Sequence, residues 1–350
     1  MSNGATITGA LVETYQGTAL RGTSVSNSTG NYSITGLAAG NYTVRASFTG
    51  LVPQMVSNVP VVDGSATPVY LSLNFGIAVQ SPIAGATVND YSILVTGNFD
   101  TSLAPEVGIQ VNGYVALQDG DEFAALIPID SQTTTLIAML KDTAGNFIAG
   151  DAVPITPQLP NGSPLLFFRP SPAITLVSQP VGFTLTSVNA FTQLQLDGNG
   201  DGTIDYTGGT LQGVTVTLAE AGLYFPTISL TEQDGTVRTA TTLVQVFDAT
   251  QLDTLLQNNW TAMKNALRQG DVNAAASYIV MRRRATYEAM FNALIVPLSS
   301  IDQVLTNITL LEQRGIEAEY EMLVNEGGSQ RSYMVLFAID EDGVWRVKFF

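Results

Sequence analysis

The chain has 350 residues with no cysteine and no histidine, and 30 acidic side chains against 14 basic ones give a formal net charge of −16. Without Cys and His there is no disulfide framework, no thiolate nucleophile and no imidazole base, which excludes most hydrolytic triads and most transition-metal sites. The negative charge opposes binding to nucleic acid or to an anionic membrane, because like charges repel before contact. At about 100–200 residues per domain, the length predicts two to four domains.

The composition divides the chain into a long β-rich part and a shorter part of mixed character. Up to residue 247, short alternating runs of Thr, Val and Ile are broken by Gly, Asn and Pro, which is typical of strands with tight turns. Residues 248–296 carry apolar side chains at helical spacing, and 305–350 return to strands. Closely spaced prolines at 154–164 predict a stiff spacer. We predict a mainly β multidomain protein, three tandem β-sandwiches followed by one α+β cone domain, with domains at 1–75, 76–159, 160–247 and 248–350.

In the first segment, the run G-N-Y-S-I-T-G-L-A-A-G-N-Y-T-V at 30–44 predicts a β-hairpin with Ile34, Tyr42 and Val44 on one buried face. This run resembles the carboxypeptidase regulatory-like domain, over essentially the whole segment. The resemblance implies a seven-stranded transthyretin-like sandwich that serves as a non-catalytic spacer or adhesive module on exported bacterial proteins. A ligand-binding rim is the alternative.

The second segment has apolar runs of period two, about ten residues apart, which fit an Ig-type sandwich. Its motifs, from P-I-A-G-A-T-V at 82–88 to D-T-A-G-N at 142–146, resemble bacterial Ig-like surface domains. The acidic cluster of Asp119, Asp121 and Glu122 has two interpretations, a calcium site or a solvated hairpin tip.

The third segment contains the strongest chemical motif, an Asp-rich loop with oxygen-bearing residues at positions 1, 3, 5, 7 and 9 and a glycine at position 6. Ca²⁺ requires this order of oxygen ligands around a sharp turn. The predicted metal ligands are Asp197, Asn199, Asp201, the Thr203 carbonyl and Asp205. Position 12 is Gly208 rather than Glu and no helix flanks the loop, so we predict a β-hairpin calcium loop with a stiffening role. The alternative is an Asn/Asp/Gly-rich turn without an ion.

The same segment resembles the polycystic-kidney-disease-type (PKD) β-sandwich. The resemblance rests on L-Q-L-D-G-N-G-D-G-T-I-D at 194–205 and on the strands that follow, at 219–246. Leu stands where that family usually has Trp, which weakens the match. The resemblance implies a third sandwich stiffened by the calcium loop.

The last segment begins with three predicted helices. Apolar residues from Leu252 to Leu267 recur every three or four positions and end at Gly270. Asp271 caps a second helix, and a third runs through Tyr287 to Leu294 and ends before Pro297. Antiparallel strands follow, so we predict an α+β domain with helices on one face of the sheet. The order of W-x-x-M-K-x-A-L and the closing D-x-D-G-x-W resembles nuclear-transport-factor-like (SnoaL-like) cone domains, some of which hold an enzymatic pocket.

The carboxylates of this segment leave a functional alternative open. Without His, proton transfer in a cone pocket would rest on a buried carboxylate such as Glu319 or Glu321, near Tyr320 or Tyr333. Carboxylates on such a strand are more often solvated.

The basic triplet Arg282-Arg283-Arg284 has two interpretations as well. It would bind an anionic ligand or the acidic second segment of a neighbouring molecule, or it forms an exposed helix junction.

These patterns together predict a non-enzymatic extracellular structural or adhesive protein, a cell-surface, appendage or filament component stiffened by calcium. We expect a rod of separately cored domains whose partners are other protein surfaces, including copies of itself. There is no run of about 18 apolar residues, which argues against membrane insertion. The first residues lack an export signal, and we expect that the signal has been removed.

The alternative is a small-ligand-binding protein or enzyme with a pocket in the cone domain. Carbohydrate binding ranks last, because neither Trp lies in a predicted sandwich.

Overall fold

The computed structural model describes residues 6–104, 106–159, 166–187, 189–293 and 300–350. Within these residues the protein is mainly β, with helices confined to the C-terminal segment. Four hydrophobic clusters follow one another along the chain, and each takes its buried members from a single segment. Three β-sandwich domains therefore precede one α+β domain. No helix in the described part of the chain is long and apolar enough to cross a membrane.

The first domain contains an antiparallel sheet in the order β2-β1-β3-β5 and a two-stranded ladder of β4 with β6. Its strands are β1 (Leu11–Gln16), β2 (Ala19–Val25), β3 (Gly40–Ser47), β4 (Leu51–Val52), β5 (Gln54–Val61) and β6 (Asn74–Phe75). Val12, Val44 and Val59 from neighbouring strands build the small core. Non-strand segments cover it, and Tyr32 donates its hydroxyl to the Val69 carbonyl at 3.0 Å.

The predicted hairpin at 30–44 is wrong in its first arm. Tyr42 and Val44 are buried in β3, but residues 31–39 form no strand and β3 pairs with β1 and β5 instead. Ile34 packs against Gly22 and the core. β3 therefore pairs with strands distant in the sequence instead of forming a local hairpin, because those strands provide a longer ladder and a buried face.

The second domain is a sandwich of two sheets, in the orders β11-β10-β14-β15-β8 and β12-β13-β9-β7. Its strands are β7 (Ile77–Ser81), β8 (Ala86–Val88), β9 (Ser92–Phe99), β10 (Val107–Val111), β11 (Tyr114–Val115), β12 (Leu117–Asp119), β13 (Glu122–Pro128), β14 (Thr135–Asp142) and β15 (Phe147–Pro157). Fully buried side chains from both sheets, among them Ile109, Phe123 and Leu136, form one core.

The predicted spacer at 154–164 begins inside this sandwich, because Pro154 and Pro157 belong to β15. The Pro154 carbonyl accepts from Gly85 N at 2.7 Å, and Ile155 N donates to the Thr134 carbonyl at 2.9 Å. Strand pairing thus continues around the prolines. Residues 160–165 of the predicted spacer lie outside the described residues.

The third domain has three small sheets, in the orders β16-β18-β21, β17-β25-β22 and β20-β19-β23-β24. Its strands are β16 (Leu166–Ser171), β17 (Ile174–Leu176), β18 (Pro180–Ser187), β19 (Phe191–Asp197), β20 (Tyr206–Gly208), β21 (Thr215–Thr217), β22 (Gly222–Tyr224), β23 (Thr227–Glu232), β24 (Val237–Thr241) and β25 (Val244–Phe247). The Asp-rich loop joins β19 to β20 as a hairpin.

The C-terminal domain packs helices on one face of a sheet in the order β26-β27-β28-β29. Its elements are α1 (Ala249–Arg268), α2 (Val272–Ser277), a 3₁₀ turn (Met281–Arg283), α3 (Arg284–Ala293), α4 (Ile301–Val304), β26 (Ile308–Arg314), β27 (Glu317–Glu326), β28 (Ser329–Ile339) and β29 (Trp345–Phe349). Asp248 and Asp271 cap α1 and α2 through their side chains. The predicted end of the third helix at Leu294 lies outside the described residues.

The second domain contacts all three others, so the expected rod of domains in chain order is wrong at this point. Three hydrogen bonds mark the contacts: Gly50 N to the Gly150 carbonyl at 2.8 Å, Gln245 Nε2 to the Gln118 carbonyl, and Gln110 Nε2 to the Glu341 carbonyl at 2.6 Å. The last of these bonds joins the second domain to the C-terminal domain, although the third domain lies between them in the sequence.

We predict that Gly108→Ala destabilises the protein at this junction. A Cβ on Gly108 in β10 would lie 2.2 Å from the Asp342 carbonyl oxygen, a backbone atom that cannot rotate away. We expect a loss of about 1–3 kcal/mol in the free energy of unfolding, measured in urea. Gly209→Ala is the matched control, because nothing lies within 4 Å of the added Cβ there. Equal urea midpoints for the two variants would contradict the close approach.

Candidate functional site

The five predicted calcium ligands lie together in the β19–β20 hairpin loop, but their side chains bond within the loop. Asp197 accepts from Gly200 N at 2.7 Å and from Gly202 N at 2.8 Å. Asp201 accepts from Thr203 N at 2.7 Å and from the Asn199 amide at 2.9 Å. These hydrogen bonds hold the pKa of Asp201 below its ordinary value, and the bond from Asn199 has the largest effect.

Asp205 accepts from Gly198 N at 2.7 Å and so closes the base of the same loop. Across the described ranges, no group of three or more acidic side chains is placed to hold a metal ion. The loop as it stands is a self-bonded turn rather than a preformed cation cage, and calcium binding stays a prediction. Asp119, Asp121 and Glu122 lie exposed at the β12–β13 turn.

The carboxylates proposed for a cone pocket do not face the interior. The buried residues of β27 are Ala318, Tyr320, Met322 and Val324, and Glu319 and Glu321 alternate with the first three. Tyr320 is fully buried and donates its hydroxyl to Asp253 Oδ1 at 2.9 Å. Burial raises the pKa of Tyr320 well above its ordinary value, with a further contribution from the Asp253 bond.

The other residues of that hypothesis are held at the surface. Glu321 accepts from the Ser332 hydroxyl at 2.6 Å, and Tyr333 donates to Glu326 at 2.8 Å. The structure therefore brings no pair of these carboxylates to one interior point.

The arginine triplet contacts the second domain of its own chain. Arg284 donates to the Ala144 carbonyl at 3.0 Å and to the Ser277 carbonyl at 3.2 Å. Arg283 lies over the Phe349 ring at 5.8 Å, and Arg282 pairs with Glu341 in the open. Only Arg284 of the three takes part in the junction between domains.

Arg346 is the centre of that junction, and the sequence analysis did not identify it. The residue is 1% exposed. Its Nη1 donates to Asp340 Oδ2 at 2.8 Å and to Asp342 Oδ1 at 2.6 Å, and its Nη2 donates to Asp342 Oδ2 at 2.8 Å. Nη2 also donates to the Thr143 carbonyl of the second domain at 2.7 Å, and Nε to the Ser277 carbonyl at 3.1 Å. All the N–H groups of a buried guanidinium are thereby used.

Charge balance favours the ionised state of this group. Burial alone would lower the pKa of Arg346, but the bonds and charges of Asp342 and Asp340 outweigh burial, and the pKa lies above its ordinary value. The sequence signal was present in D-E-D-G-V-W-R at 340–346. The signal is an Arg between Trp345 and Val347, directly after an Asp-rich turn.

Glu106 is a further charged side chain of the junction, half-buried there, and it was also missed. Its Oε2 accepts from Asn259 Nδ2 of α1 at 2.6 Å, and its Oε1 accepts from Trp345 N of β29 at 2.7 Å. Burial raises the pKa of Glu106 to about 7, against the lowering effect of the two hydrogen bonds and of Arg346. A carboxyl group of this kind holds or releases a proton near neutral pH.

Glu106 also lines a cavity of about 210 Å³ between the second, third and C-terminal domains. Its lining includes the aromatic side chains Phe99, Phe247 and Trp345, and Phe247 meets Trp345 edge to face with ring centres 6.2 Å apart. This cavity lies between domains, and a pocket inside the C-terminal domain stays a prediction.

Comparison with protein families confirms one predicted resemblance. Residues 1–74 match the carboxypeptidase regulatory-like domain family. No curated protein sequence matches the chain. The PKD and cone resemblances stay predictions.

Solved structures similar to this chain include arrays of β-sandwiches. The fibronectin(III)-like modules of Clostridium thermocellum CbhA share 13% identity, with 49% of this chain and 93% of that chain covered and a TM-score of 0.20. The tandem Ig repeats of Dlar share 12% identity over 49% and 98%, with a TM-score of 0.20. Dimeric latent PorU from Porphyromonas gingivalis shares 9% identity over 69% of this chain and 30% of that chain, with a TM-score of 0.28. Scores this low carry no functional conclusion.

We predict that Arg346→Met is strongly destabilising. Removing the guanidinium leaves the buried Asp340 and Asp342 carboxylates without their cation, which costs about 3–5 kcal/mol in the free energy of unfolding. Arg282→Met is the matched control, because it breaks the ion pair of Arg282 with Glu341, which lies between Asp340 and Asp342. The side chains of Arg282 and Glu341 are 82% and 56% exposed. The control should change stability by less than about 1 kcal/mol. Urea unfolding measures both, and similar values would show that the buried network is not stabilising.

A second prediction concerns pH. Because burial raises the pKa of Glu106 to about 7 from 4.5, the folded protein holds this proton more tightly than the unfolded chain does. The resulting stabilisation is present below pH 4.5 and is lost as the pH rises to about 7, up to about 3 kcal/mol. Relative to Glu106→Gln, the wild type should therefore lose stability across this window.

Urea unfolding at half-unit pH steps measures this difference. The control is Glu122→Gln, which removes an equal charge from an exposed position in the same domain. If the difference in the free energy of unfolding between the wild type and Glu106→Gln does not change with pH, the raised pKa of Glu106 is contradicted.

Proposed function

We propose that the protein is a non-enzymatic structural or adhesive component of the cell exterior. The single observation that carries this proposal is the Arg346 network, which joins the second and C-terminal domains through buried bonds. These charged groups hold the two domains together. The N–H donors of Arg346 are all bonded within the protein, so none is free to bind a substrate. The family match at 1–74 supports the location, since domains of this type are typical of extracellular proteins.

The partners in this proposal are other protein surfaces, including further copies of the chain. Exposed apolar side chains such as Met55, Val62 and Tyr70 of the first domain offer contact area away from the junction. Contact between unlike surfaces of successive copies produces a filament when the rotation between copies does not close a ring.

Two measurements test the location and the assembly. Protease treatment of intact source cells, followed by detection of the full chain, should remove the protein while a cytosolic marker survives. Sedimentation velocity over a range of concentrations should show assembly beyond the monomer. Protection from protease in intact cells would overturn the location, and a monomer at every concentration would overturn self-association.

Calcium stiffening of the third domain is part of this proposal, supported by the order of oxygen-bearing residues at 197–205. Binding requires the Asp201 and Asp205 carboxylates to turn from their loop N–H groups toward an ion. Bound ion stabilises the native state by mass action, so saturating Ca²⁺ should raise the melting temperature.

The matched test compares Asp201→Asn with Asp234→Asn. Asp234 makes a similar turn, accepting from Thr236 N at 2.9 Å, but stands outside the loop. We expect the calcium-dependent rise in melting temperature to disappear in Asp201→Asn and to persist in Asp234→Asn. The absence of any rise in the wild type would leave the loop as an ion-free turn and remove calcium from the proposal.

A further inference from the structure

The cavity at the junction of the second, third and C-terminal domains has one charged wall. Of the described residues that line it, Glu106 alone carries a charge. The other wall residues are mostly apolar, with Phe99 from the second domain, Phe247 from the end of β25, and Leu255 and Trp345 from the C-terminal domain. A mostly apolar cavity with one charged side chain and a few polar groups is typical of small-molecule sites.

The anchor lacks a counter-ion within the described residues. Glu106 accepts two hydrogen bonds, from the Asn259 amide and from Trp345 N, but forms no ion pair in that part of the chain. The charges of Arg346 and Asp342 act on the pKa of Glu106 in opposite directions, and the Arg346 guanidinium is held by Asp340 and Asp342. A desolvated carboxylate without a cation is costly, and its raised pKa reports that cost.

The aromatic walls add a preference for positive charge. The negative ring faces of Phe and Trp attract ammonium groups, most strongly where water is excluded. Phe247 and Trp345 stand edge to face in the wall, and Phe99 lies in the second domain's share of the lining. An anion would be repelled by Glu106, and a neutral molecule would leave the carboxylate without a counter-charge.

The size of the cavity sets the size of the ligand. At about 210 Å³ it is smaller than the roughly 300–1,000 Å³ of sites for drug-sized molecules. We propose that this cavity binds a small organic cation, with an ammonium group against Glu106 and an apolar or aromatic body of about the size of a benzyl group against Phe247 and Trp345. The ligand would bridge three domains and so favour their docked arrangement.

Isothermal titration of the full-length chain with three probes of similar size tests this proposal. Benzylammonium carries the required charge, benzyl alcohol is neutral and benzoate is an anion. At pH 8, where Glu106 is ionised, benzylammonium should bind saturably and the other two at least tenfold more weakly. At pH 5.5 benzylammonium keeps its charge while Glu106 is protonated, so the preference should fall.

Variants separate the carboxylate from the cavity itself. Glu106→Gln should weaken benzylammonium binding by about tenfold to hundredfold, the value of a hydrogen bond to a charged group. Glu122→Gln is the matched control at an exposed site of the same domain and should bind as the wild type does. Leu255→Phe adds volume to the wall while keeping Glu106, and it should weaken binding of all probes.

Three outcomes would overturn the proposal: no saturable binding of benzylammonium by the wild type, equal binding of benzylammonium and benzyl alcohol at pH 8, or unchanged binding by a folded Glu106→Gln variant. If circular dichroism shows that Glu106→Gln is unfolded, the pH series on the wild type and the Leu255→Phe titration decide the matter.

Discussion

A guanidinium that leaves water must find acceptors for all of its N–H groups, because each unpaired donor in a dry interior costs free energy. Arg346 finds them in three places: the Asp340 and Asp342 carboxylates on its own turn, the Ser277 carbonyl after α2, and the Thr143 carbonyl of the second domain. Since the last acceptor belongs to another domain, the network is complete only when the two domains are docked. The packing of the C-terminal sheet is thereby tied to the position of the second sandwich.

Glu106 makes the reverse connection. Its carboxylate comes from the second domain and its two donors, Asn259 and Trp345, come from the C-terminal domain. Each of the two charged groups has at least one hydrogen-bond partner across the boundary, and taking either group out of water has a desolvation cost. Two such groups of opposite sign need one relative placement of the domains, whereas apolar contact alone tolerates sliding. The two groups therefore favour one defined arrangement of the domains at the junction. The cavity beside Glu106 lies where three domains meet.

The Asp-rich loop of the third domain illustrates how local chemistry settles a local structure. Glycines at 200 and 202 have positive φ, which L side chains rarely adopt, and their N–H groups point to Asp197. Asp201 and Asp205 bond backbone N–H groups of the same loop. Oxygen atoms that suit a hard cation also suit backbone donors, so the same residues support an ordered turn with or without an ion.

The sequence by itself determined what depends on neighbours along the chain: the four cored segments, the helix from Ala249 capped by Asp248, and the hairpin around 197–205. These follow from periodicity, capping and turn chemistry, which act over a few residues. Only the tertiary structure decided that β3 pairs with β1 and β5 and that Glu106 meets Asn259. It also placed Arg346 against Thr143, 203 positions away. The physical reason is that a buried charge is stabilised by whichever acceptors packing brings to it, and no spacing rule encodes a partner in another domain.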